Sequence, residues 1–318
     1  MFPKQRKRRL RNSNSIRKIV CENHLTVNDL VAPIFLTVGQ EIKEEIESMP
    51  GYFRLSLDLL EQEIDSLWEL DLKAVLLFAK IPNKLKDNKG TEALNQNGLM
   101  QKGIKLIKSI NPEILVISDV ALDPYSSYGH DGIVLDNKIV NDETNKVLSK
   151  MALSHAKAGV DFVSPSDMMD GRIGEIRSVL ENNGFKNTGI MSYSVKYASN
   201  LYSPFRDALS SSPGFGDKKT YQMDFHNRKE AISETLLDID EGADIVIVKP
   251  GIFYLDIISD LNTKINQPIA AYQVSGEYAM LKAAQSKGWM DYDSVIYENL
   301  IAFKRAGCSM IITYCAKD

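Results

Sequence analysis

Short apolar runs recur along the whole chain, and amphipathic stretches lie between them. Most of the runs are rich in Val and Ile and show no apolar–polar alternation, which is typical of parallel strands buried on both faces. The runs are Val31–Leu36, Ala74–Ala79, Leu115–Leu122, Val160–Ser164, Gly189–Tyr193, Asp244–Lys249, Ile269–Val274 and Met310–Cys315.

The stretches between these runs repeat their apolar residues with the period of an α-helix. Several of them end at a glycine directly before a strand, as in Ala158-Gly159 and Ala306-Gly307, which is a common helix stop signal. The pattern predicts helices over Asn141–Ala158, Arg172–Glu181, Asn227–Glu241, Tyr254–Ile265, Tyr278–Ser286 and Asp293–Ala306.

Eight strands that alternate with helices predict an α/β fold, specifically a (β/α)8 TIM barrel. An open doubly wound sheet would show the same periodicity, but no Gly-rich phosphate loop follows the first run. We expect the barrel to span residues 27–318 and residues 1–26 to form an N-terminal extended arm outside it. The long connection from Lys196 to Asn227 is rich in Ser, Gly and Pro and suggests an active-site lid.

Composition narrows the class of protein without naming a partner. Of 318 residues, 44% are hydrophobic and 25% are charged, and the net charge is -4, the balance of a water-soluble globular protein. No apolar run approaches the roughly 20 residues that cross a bilayer. No apolar stretch follows the basic N-terminal residues, so we expect a cytoplasmic protein without a secretory signal. Cys21, Cys308 and Cys315 form no close pair and are expected to be reduced thiols.

The basic run from Lys4 to Arg11 has two interpretations. It could bind nucleic acid, but no aromatic interleaving or nucleic-acid motif accompanies it and the rest of the chain is acidic. A solvated arm laid over a neighbouring subunit is therefore the favoured interpretation, with a homo-oligomer as its consequence.

Lys249 is the sharpest chemical signal in the chain. It ends an apolar run and precedes Pro250-Gly251, so its amine should lie in apolar surroundings at a strand end, where barrel enzymes place their chemistry. Burial disfavours the ammonium form, and a second cation such as Lys196 would disfavour it further. A neutral amine can attack a ketone to form a Schiff base. A structural or phosphate-binding lysine is the alternative, but Lys196 at the neighbouring strand end favours catalysis.

Other polar residues fall at or near the same predicted rim. Guanidinium, ammonium and amide donors on the lid suit a substrate carboxylate, and hydroxyl groups at strand ends could hold a second one. The lid residues are Arg206, Lys218 and Gln222, and the strand-end residues are Asp119, Ser166, Tyr193, Ser275 and Tyr314.

Seven segments of the chain closely resemble the porphobilinogen synthase (5-aminolevulinate dehydratase) family, in family order. They are SDVALDPYSSYGHDG (Ser118–Gly132), SPSDMMDGR (Ser164–Arg172), MSYSVKYAS (Met191–Ser199), SPFRDAL (Ser203–Leu209), TYQMDFHNRKEA (Thr220–Ala231), DIVIVKPG (Asp244–Gly251) and YQVSGEYAM (Tyr272–Met280). The resemblance implies a lyase on a β/α barrel, usually a homo-octamer, that condenses two 5-aminolevulinate molecules to porphobilinogen with loss of two waters in tetrapyrrole (haem) biosynthesis.

The resemblance also implies a role for each candidate residue. Lys249 and Lys196 would form Schiff bases with the two substrate ketones. Ser275 and Tyr314 would hold the carboxylate of the first-bound substrate. Arg206, Lys218 and Gln222 would hold the carboxylate of the second substrate. Asp119 and the Ser166 region would orient the reacting amine and assist proton transfer, and Tyr193 would pack beside the site.

Metal use differs within the family, and this sequence departs from its zinc-using members. Those members carry three cysteines at positions that correspond here to Ala121, Asp123 and Asp131, so no thiolate zinc site is expected. Asp123 and Asp131 could instead bind a hard cation such as Mg²⁺, and a site without metal is the alternative. Glu234 corresponds to an allosteric Mg²⁺ ligand of many members. His130 beside Asp131 is interpreted as a hydrogen-bonding residue rather than a zinc ligand.

Two rival functions remain at this stage. Another class I Schiff-base aldolase-type barrel would share a strand-end lysine but would not need Lys196 or the lid residues. A non-enzymatic barrel that binds nucleic acid through its basic arm is the rival from a different class. The chain also departs from the family pattern at Phe225-His226, where Pro-Ala is common, and at Cys315, where an aromatic residue is frequent.

Overall fold

A closed ring of eight parallel strands forms the centre of the computed structural model, which describes residues 1–318. Strands and helices are numbered here in chain order. The ring consists of β1 (Leu30–Leu36), β4 (Ala74–Ala79), β5 (Leu115–Val120), β8 (Phe162–Pro165), β9 (Gly189–Lys196), β10 (Ile245–Lys249), β11 (Ile269–Tyr272) and β12 (Met310–Ile312). Leu30 pairs with Ile311 and closes the ring, which excludes an open doubly wound sheet. The predicted (β/α)8 barrel is confirmed.

Ten helices accompany the strands, and every predicted helix is present. Glycines in the left-handed region end two of them as expected, Gly159 with φ 99° and Gly307 with φ 115°. The helices are α1 (Asn14–Ile19), α2 (Leu60–Glu69), α3 (Leu99–Ile110), α4 (Asn141–Ala158), α5 (Arg172–Asn182), α6 (Ser203–Leu209), α7 (Lys229–Asp240), α8 (Leu255–Asn262), α9 (Ser275–Ser286) and α10 (Tyr292–Ala306).

Helix α9 begins at Ser275, whereas the pattern placed its start at Tyr278. The Glu277 carboxylate accepts hydrogen bonds from the Val274 N–H (2.7 Å) and the Ile252 N–H (2.7 Å). Backbone donors at the start of a helix have no partner within the helix, and this buried carboxylate provides one. Glu277 therefore starts α9 at the end of β11 and ties it to the loop that follows β10.

Two small hairpins extend above the barrel and were not predicted. Strands β2 (Lys43–Glu45) and β3 (Phe53–Leu55) pair antiparallel, and β3 also pairs in parallel with the end of β1. Strands β6 (Ile133–Leu135) and β7 (Lys138–Val140) turn at Asp136 and Asn137, which have φ 48° and 58°. Asp and Asn tolerate this left-handed conformation better than most residues, which suits them to a tight hairpin.

One apolar core of 74 buried residues joins the barrel interior to the layer between strands and helices. All seven residues of β1 are buried, which explains the absence of alternation in the apolar runs. In contrast, no residue before Leu30 is buried; this segment contains a 3-10 turn at Lys7–Arg11 and the short helix α1. None of the helices has the length and hydrophobicity that a membrane span requires.

Candidate active site

Lys249 and Lys196 lie directly opposite each other at the ends of β10 and β9. Both are buried, with 4% and 6% of their surface exposed. Paired residues of parallel strands point to the same side of the sheet, so both amines point toward the same space at the carboxyl end of the barrel. The structure therefore brings together the two lysines that the sequence singled out.

The Lys249 amine is surrounded by aromatic rings. Unlike Lys196 and Lys218, it forms no salt bridge. Burial lowers the pKa of Lys249 to about 7, and the nearby positive charge of Lys196 acts in the same direction. Its Nζ lies 4.4 Å from the ring centre of Tyr272, 4.8 Å from Phe205, 5.0 Å from Tyr193 and 5.2 Å from Tyr202. A substantial fraction of this amine is therefore neutral, and nucleophilic, near neutral pH.

Lys196 has a different environment from Lys249. Its Nζ lies 3.3 Å from Asp131 Oδ2 and donates a hydrogen bond to the Ser166 carbonyl. The same Asp131 pairs through Oδ1 with Lys218 Nζ at 2.7 Å. One lysine of the pair is thus without a counter-ion, and the other is held by a carboxylate.

Asp131 is the centre of a buried charge cluster. Burial alone would raise the pKa of Asp131, but Lys196 and Lys218 overcome that effect and lower it to about 2. Lys218 also reaches Asp123 Oδ2 at 3.2 Å, and the two carboxylates raise the pKa of Lys218 against the opposing effect of burial. Because Lys218 belongs to the 196–227 connection, these ion pairs fasten that segment over the barrel mouth.

His130 attaches the same connection by hydrogen bonds. Its Nδ1 lies 3.1 Å from the Tyr221 hydroxyl and its Nε2 lies 3.0 Å from the Phe215 carbonyl. Both ring nitrogens are therefore engaged with the 196–227 segment. This arrangement agrees with a hydrogen-bonding residue and leaves no ring nitrogen free for a metal.

Asp119, in β5, is a second buried group whose pKa lies near neutrality. Burial raises the pKa of Asp119 to about 7, and repulsion from Asp123 adds to the effect; a hydrogen bond with Ser166 and the charges of Lys196 and Lys249 partly offset it. A carboxyl group with such a pKa can both accept and donate a proton at working pH. Ser166 thus influences two site residues: its side chain lowers the pKa of Asp119, and its carbonyl accepts a hydrogen bond from the Lys196 amine.

The remaining candidates lie on two sides of the lysine pair. Ser275 Oγ accepts a hydrogen bond from the Phe205 N–H at 3.0 Å, and the Tyr314 hydroxyl lies 2.9 Å from the Tyr272 hydroxyl. Since Phe205 and Tyr272 both contact the Lys249 amine, Ser275 and Tyr314 lie on the Lys249 side. Lys218 lies on the Lys196 side, because both amines bind Asp131.

Several polar atoms in these surroundings have no partner within the protein. The Tyr193 hydroxyl and Gln222 Oε1 are buried without any hydrogen bond. Buried polar groups are normally satisfied, and unsatisfied ones at a site are candidates to bind a ligand or water. Arg206, in α6, is half-buried.

A family model for delta-aminolevulinic acid dehydratase matches residues 4–318. The chain belongs to the delta-aminolevulinic acid dehydratase family. This confirms the resemblance that the seven sequence segments indicated.

Individual members are similar to this chain over nearly its whole length. A delta-aminolevulinic acid dehydratase of Chlamydia pneumoniae is 52% identical over 312 residues, covering 98% of this chain and 94% of its own. One of Methanothermus sociabilis is 53% identical over 317 residues, covering 100% and 98%. The crystal structure of the Toxoplasma gondii ME49 enzyme in complex with its product porphobilinogen is 46% identical, with a TM-score of 0.97 over 98% of this chain and 90% of that one.

The residues of this family member do not fit a thiolate zinc site. Cys21 is exposed, Cys308 and Cys315 are buried elsewhere, and all three are free thiols. No group of three or more His, Cys, Asp and Glu side chains is arranged to hold a metal ion. Asp123 and Asp131 do come together, but around the Lys218 ammonium. A hard cation at these two carboxylates would have to displace Lys218.

Glu234 lies apart from this cluster, on α7. It borders a cavity of about 940 Å³ beside the 196–227 connection, together with Asp170 and Glu230. Burial raises the pKa of Glu234, and the nearby charge of Asp238 adds to the effect. Its carboxylate is therefore separate from the lysine pair but adjoins the segment that covers it.

Sequence reasoning missed a buried ion network behind the site. Arg172 Nη1 pairs with Asp238 at 3.0 Å, while its Nη2 contacts the Ser192 hydroxyl and the Tyr193 carbonyl of β9. Asp167 lies 3.7 Å from Arg172, and burial raises the pKa of Asp167 to about 6 despite that charge. The segment SPSDMMDGR contained Asp167 and Arg172. Their partners on α7 and β9 could not be inferred, because they are distant in sequence.

Proposed function

We propose that this chain is a porphobilinogen synthase, a lyase of tetrapyrrole (haem) biosynthesis that condenses two 5-aminolevulinate molecules to porphobilinogen with loss of two waters. The observation that carries the proposal is the pair Lys249 and Lys196, adjacent in register but unlike in environment. Two amines on one rim match a reaction that activates two ketones. A class I aldolase-type enzyme requires only one such amine.

Lys249 is proposed to react as the free amine. Its nitrogen adds to the ketone carbon of one substrate, and the resulting carbinolamine loses water to give a Schiff base. Lys196 does the same with the second substrate once Asp119, the proposed proton carrier, has accepted the proton of its ammonium group. Both waters of the overall reaction leave in these two steps. Both lysines are released as amines when the substrates form their C–N and C–C bonds with each other.

The two substrates are proposed to lie in opposite directions from the lysine pair. Ser275 and Tyr314, on the Lys249 side, bind the carboxylate of one substrate with hydroxyl donors. Arg206, Lys218 and Gln222, on the Lys196 side, bind the carboxylate of the other with charged and amide donors. Pinning two identical flexible molecules in unlike orientations lowers the entropic barrier to their reaction.

Asp119 is proposed to move protons between the substrates. Burial raises the pKa of Asp119 and lowers that of Lys249, so both lie near neutrality and either group can give or accept a proton at working pH. Ser166, which lies beside Asp119 and lowers its pKa, is proposed to orient it. Tyr193, whose ring contacts the Lys249 amine, packs against the first Schiff base.

Metal use and assembly extend the same proposal. We expect no catalytic thiolate zinc; Asp123 and Asp131 would be the ligands of a hard cation such as Mg²⁺ if one enters. Glu234 is proposed as a ligand of an allosteric Mg²⁺, a hard ion that needs few protein ligands.

Residues 1–26 are proposed to be an arm that contacts a neighbouring subunit in a homo-octamer. The cytoplasm is the proposed location.

Borohydride trapping tests the proposal directly. The protein is incubated with 5-aminolevulinate and borohydride, and the adduct is located by peptide mass spectrometry. A reduced adduct on Lys249, alone or with Lys196, supports the proposed substrate and nucleophile together. An unmodified chain would overturn both. Salt-sensitive nucleic-acid binding that disappears on deleting residues 1–11 would instead favour the non-enzymatic rival.

A further inference from the structure

Arg54, a buried residue of β3, binds the end of helix α6. Its Nε donates to the Ala208 carbonyl at 2.6 Å, and its Nη2 donates to the Asp207 carbonyl at 2.8 Å. The third nitrogen, Nη1, pairs with Glu44 at 3.0 Å. The fixed geometry of the guanidinium group thus serves two helix carbonyls and a carboxylate at once, which an ammonium group cannot do as well.

A second cation acts on the same helix end. Lys86 Nζ donates to the Ser210 carbonyl at 2.9 Å. Ser210 follows the last helical residue in the left-handed conformation, with φ 51°. The final carbonyls of a helix lack partners within it and carry partial negative charge, so cations stabilise them. Arg54 and Lys86 therefore form a positive clamp around the carboxyl end of α6.

Helix α6 contains two site residues, Phe205 and Arg206, which directly precede the clamped carbonyls. At its amino end the Phe205 N–H binds Ser275 Oγ, and the Phe205 ring contacts the Lys249 amine. Arg206 follows, directly before the two residues that Arg54 holds. A helix of seven residues is too short to be stable alone, so its orientation depends on contacts with the rest of the protein.

We infer that Arg54 is a positioning residue, which fixes the carboxyl end of α6 and thereby aims the Arg206 guanidinium at the second substrate's carboxylate. The inference rests on the proposed function, since it takes Arg206 as a carboxylate ligand. The amino end of α6 is held separately, by Ser275. Loss of Arg54 therefore disturbs the second substrate's site while leaving the Lys249 side in place.

The test compares Arg54→Met with a matched control, Arg177→Met. Arg177 likewise binds a backbone carbonyl, that of Thr188 at 3.1 Å, and carboxylates, Asp244 at 2.8 Å and Glu181 at 3.6 Å. It lies at the opposite end of the barrel, where β9 and β10 begin. Arg54→Lys serves as the conservative variant, because it keeps the charge but not the paired donors.

Three measurements are made on each full-length variant: borohydride trapping at Lys249, steady-state kinetics with 5-aminolevulinate, and thermal unfolding. For Arg54→Met we expect KM to rise roughly tenfold or more, as for loss of a substrate-binding contact, with trapping at Lys249 within about twofold of the parent. Arg54→Lys should recover part of the loss. Arg177→Met should leave KM unchanged even if it lowers the unfolding temperature.

Each contrary result has a distinct meaning. An unchanged KM in Arg54→Met, with the parent chain trapped normally, would overturn the positioning role alone. Trapping and turnover that fall together with the folded fraction would also overturn it, since they would show a purely structural residue. A parent chain that yields no adduct would overturn the proposed function and this role with it.

Discussion

Lys196 and Lys249 lie side by side because β9 contains one more residue than β10 between two of their paired positions. Ser192 pairs with Val246, but three residues further along β9 Val195 pairs with Val248, only two residues along β10. Had the first register continued, Val195 would lie opposite Lys249. Side chains alternate across a strand, so Lys196 would then point to the other face of the sheet. The bulge is what places both amines in one site.

Lys249→Ala should abolish turnover and leave the fold intact. The variant removes the amine nucleophile, and the hydrophobic core does not depend on this charged side chain. We therefore expect turnover to fall by at least about a thousandfold. Turnover is measured as porphobilinogen formed, and the fold is checked by circular dichroism. Lys287→Ala, at an exposed position, should retain full activity. Appreciable turnover by Lys249→Ala would contradict the Schiff-base mechanism.

The rate of adduct formation at Lys249 should rise with pH and level off above a midpoint near 7. The amine reacts only when neutral, and burial together with Lys196 lowers its pKa to about 7. Asp119→Asn removes a negative charge that favours the ammonium form, so its midpoint should lie lower. Single-turnover trapping with cyanoborohydride across the pH range measures both midpoints. A midpoint near 10 in the parent would contradict the assigned environment.

Lys249→Met should increase the free energy of unfolding, and the gain should depend on pH. The pKa of Lys249 falls from 10.5 to about 7 on folding, so the buried ammonium opposes folding fully below pH 7. That penalty declines as pH rises from about 7 to 10.5, where the folded amine is already neutral. Urea unfolding at pH 6 and pH 9 should therefore show a larger gain at pH 6. An equal gain at both values would argue against the depressed pKa.

Asp131→Asn should destabilise the protein by about 3 kcal/mol, because it leaves Lys196 and Lys218 buried without their shared carboxylate. The pKa of Asp131 is lowered from 3.8 to about 2, so its contribution is present above pH 3.8 and is lost as pH falls through 2. Asp217→Asn, on the exposed part of the same connection, should change stability by less than about 0.5 kcal/mol. Equal effects of the two variants in urea unfolding would rule out the buried cluster as a stabilising element.

Removal of zinc should leave activity nearly unchanged, since the three cysteines form no thiolate cluster and Asp123 and Asp131 are paired with Lys218. Activity is measured before and after treatment with a zinc-selective chelator, and again after zinc is restored. Glu234→Gln tests the proposed Mg²⁺ site separately. It should abolish any response of activity to added Mg²⁺ without altering adduct formation at Lys249. A loss that only zinc restores would show that the two aspartates had been misinterpreted.

The local sequence pattern was enough to predict the strands, several helix ends and one reactive lysine of this protein. Burial on both faces of β1, and of strands like it, gives continuous apolar runs, so the eight strands could be located from hydrophobicity alone. Glycine signals marked the ends of α4 and α10 for a local conformational reason. Lys249 was found because it ends such a run. Strand, helix end and strand-end lysine all depend on neighbours within a few residues, which is why the sequence by itself determined them.

Only the tertiary structure decided which of these residues work together. The bulge that aligns Lys196 with Lys249 is not visible in the hydrophobic pattern of either strand, because it arises only when the two strands pair. Lys218 meets Asp131 across 87 residues, and Arg54 meets Ala208 across 154. The charge state of Lys249 likewise follows from rings and a cation that β9, β11, helix α6 and the turn before α6 bring around its amine. Pairing register, long-range ion pairs and desolvation arise from closure of the barrel, and a local pattern does not contain them.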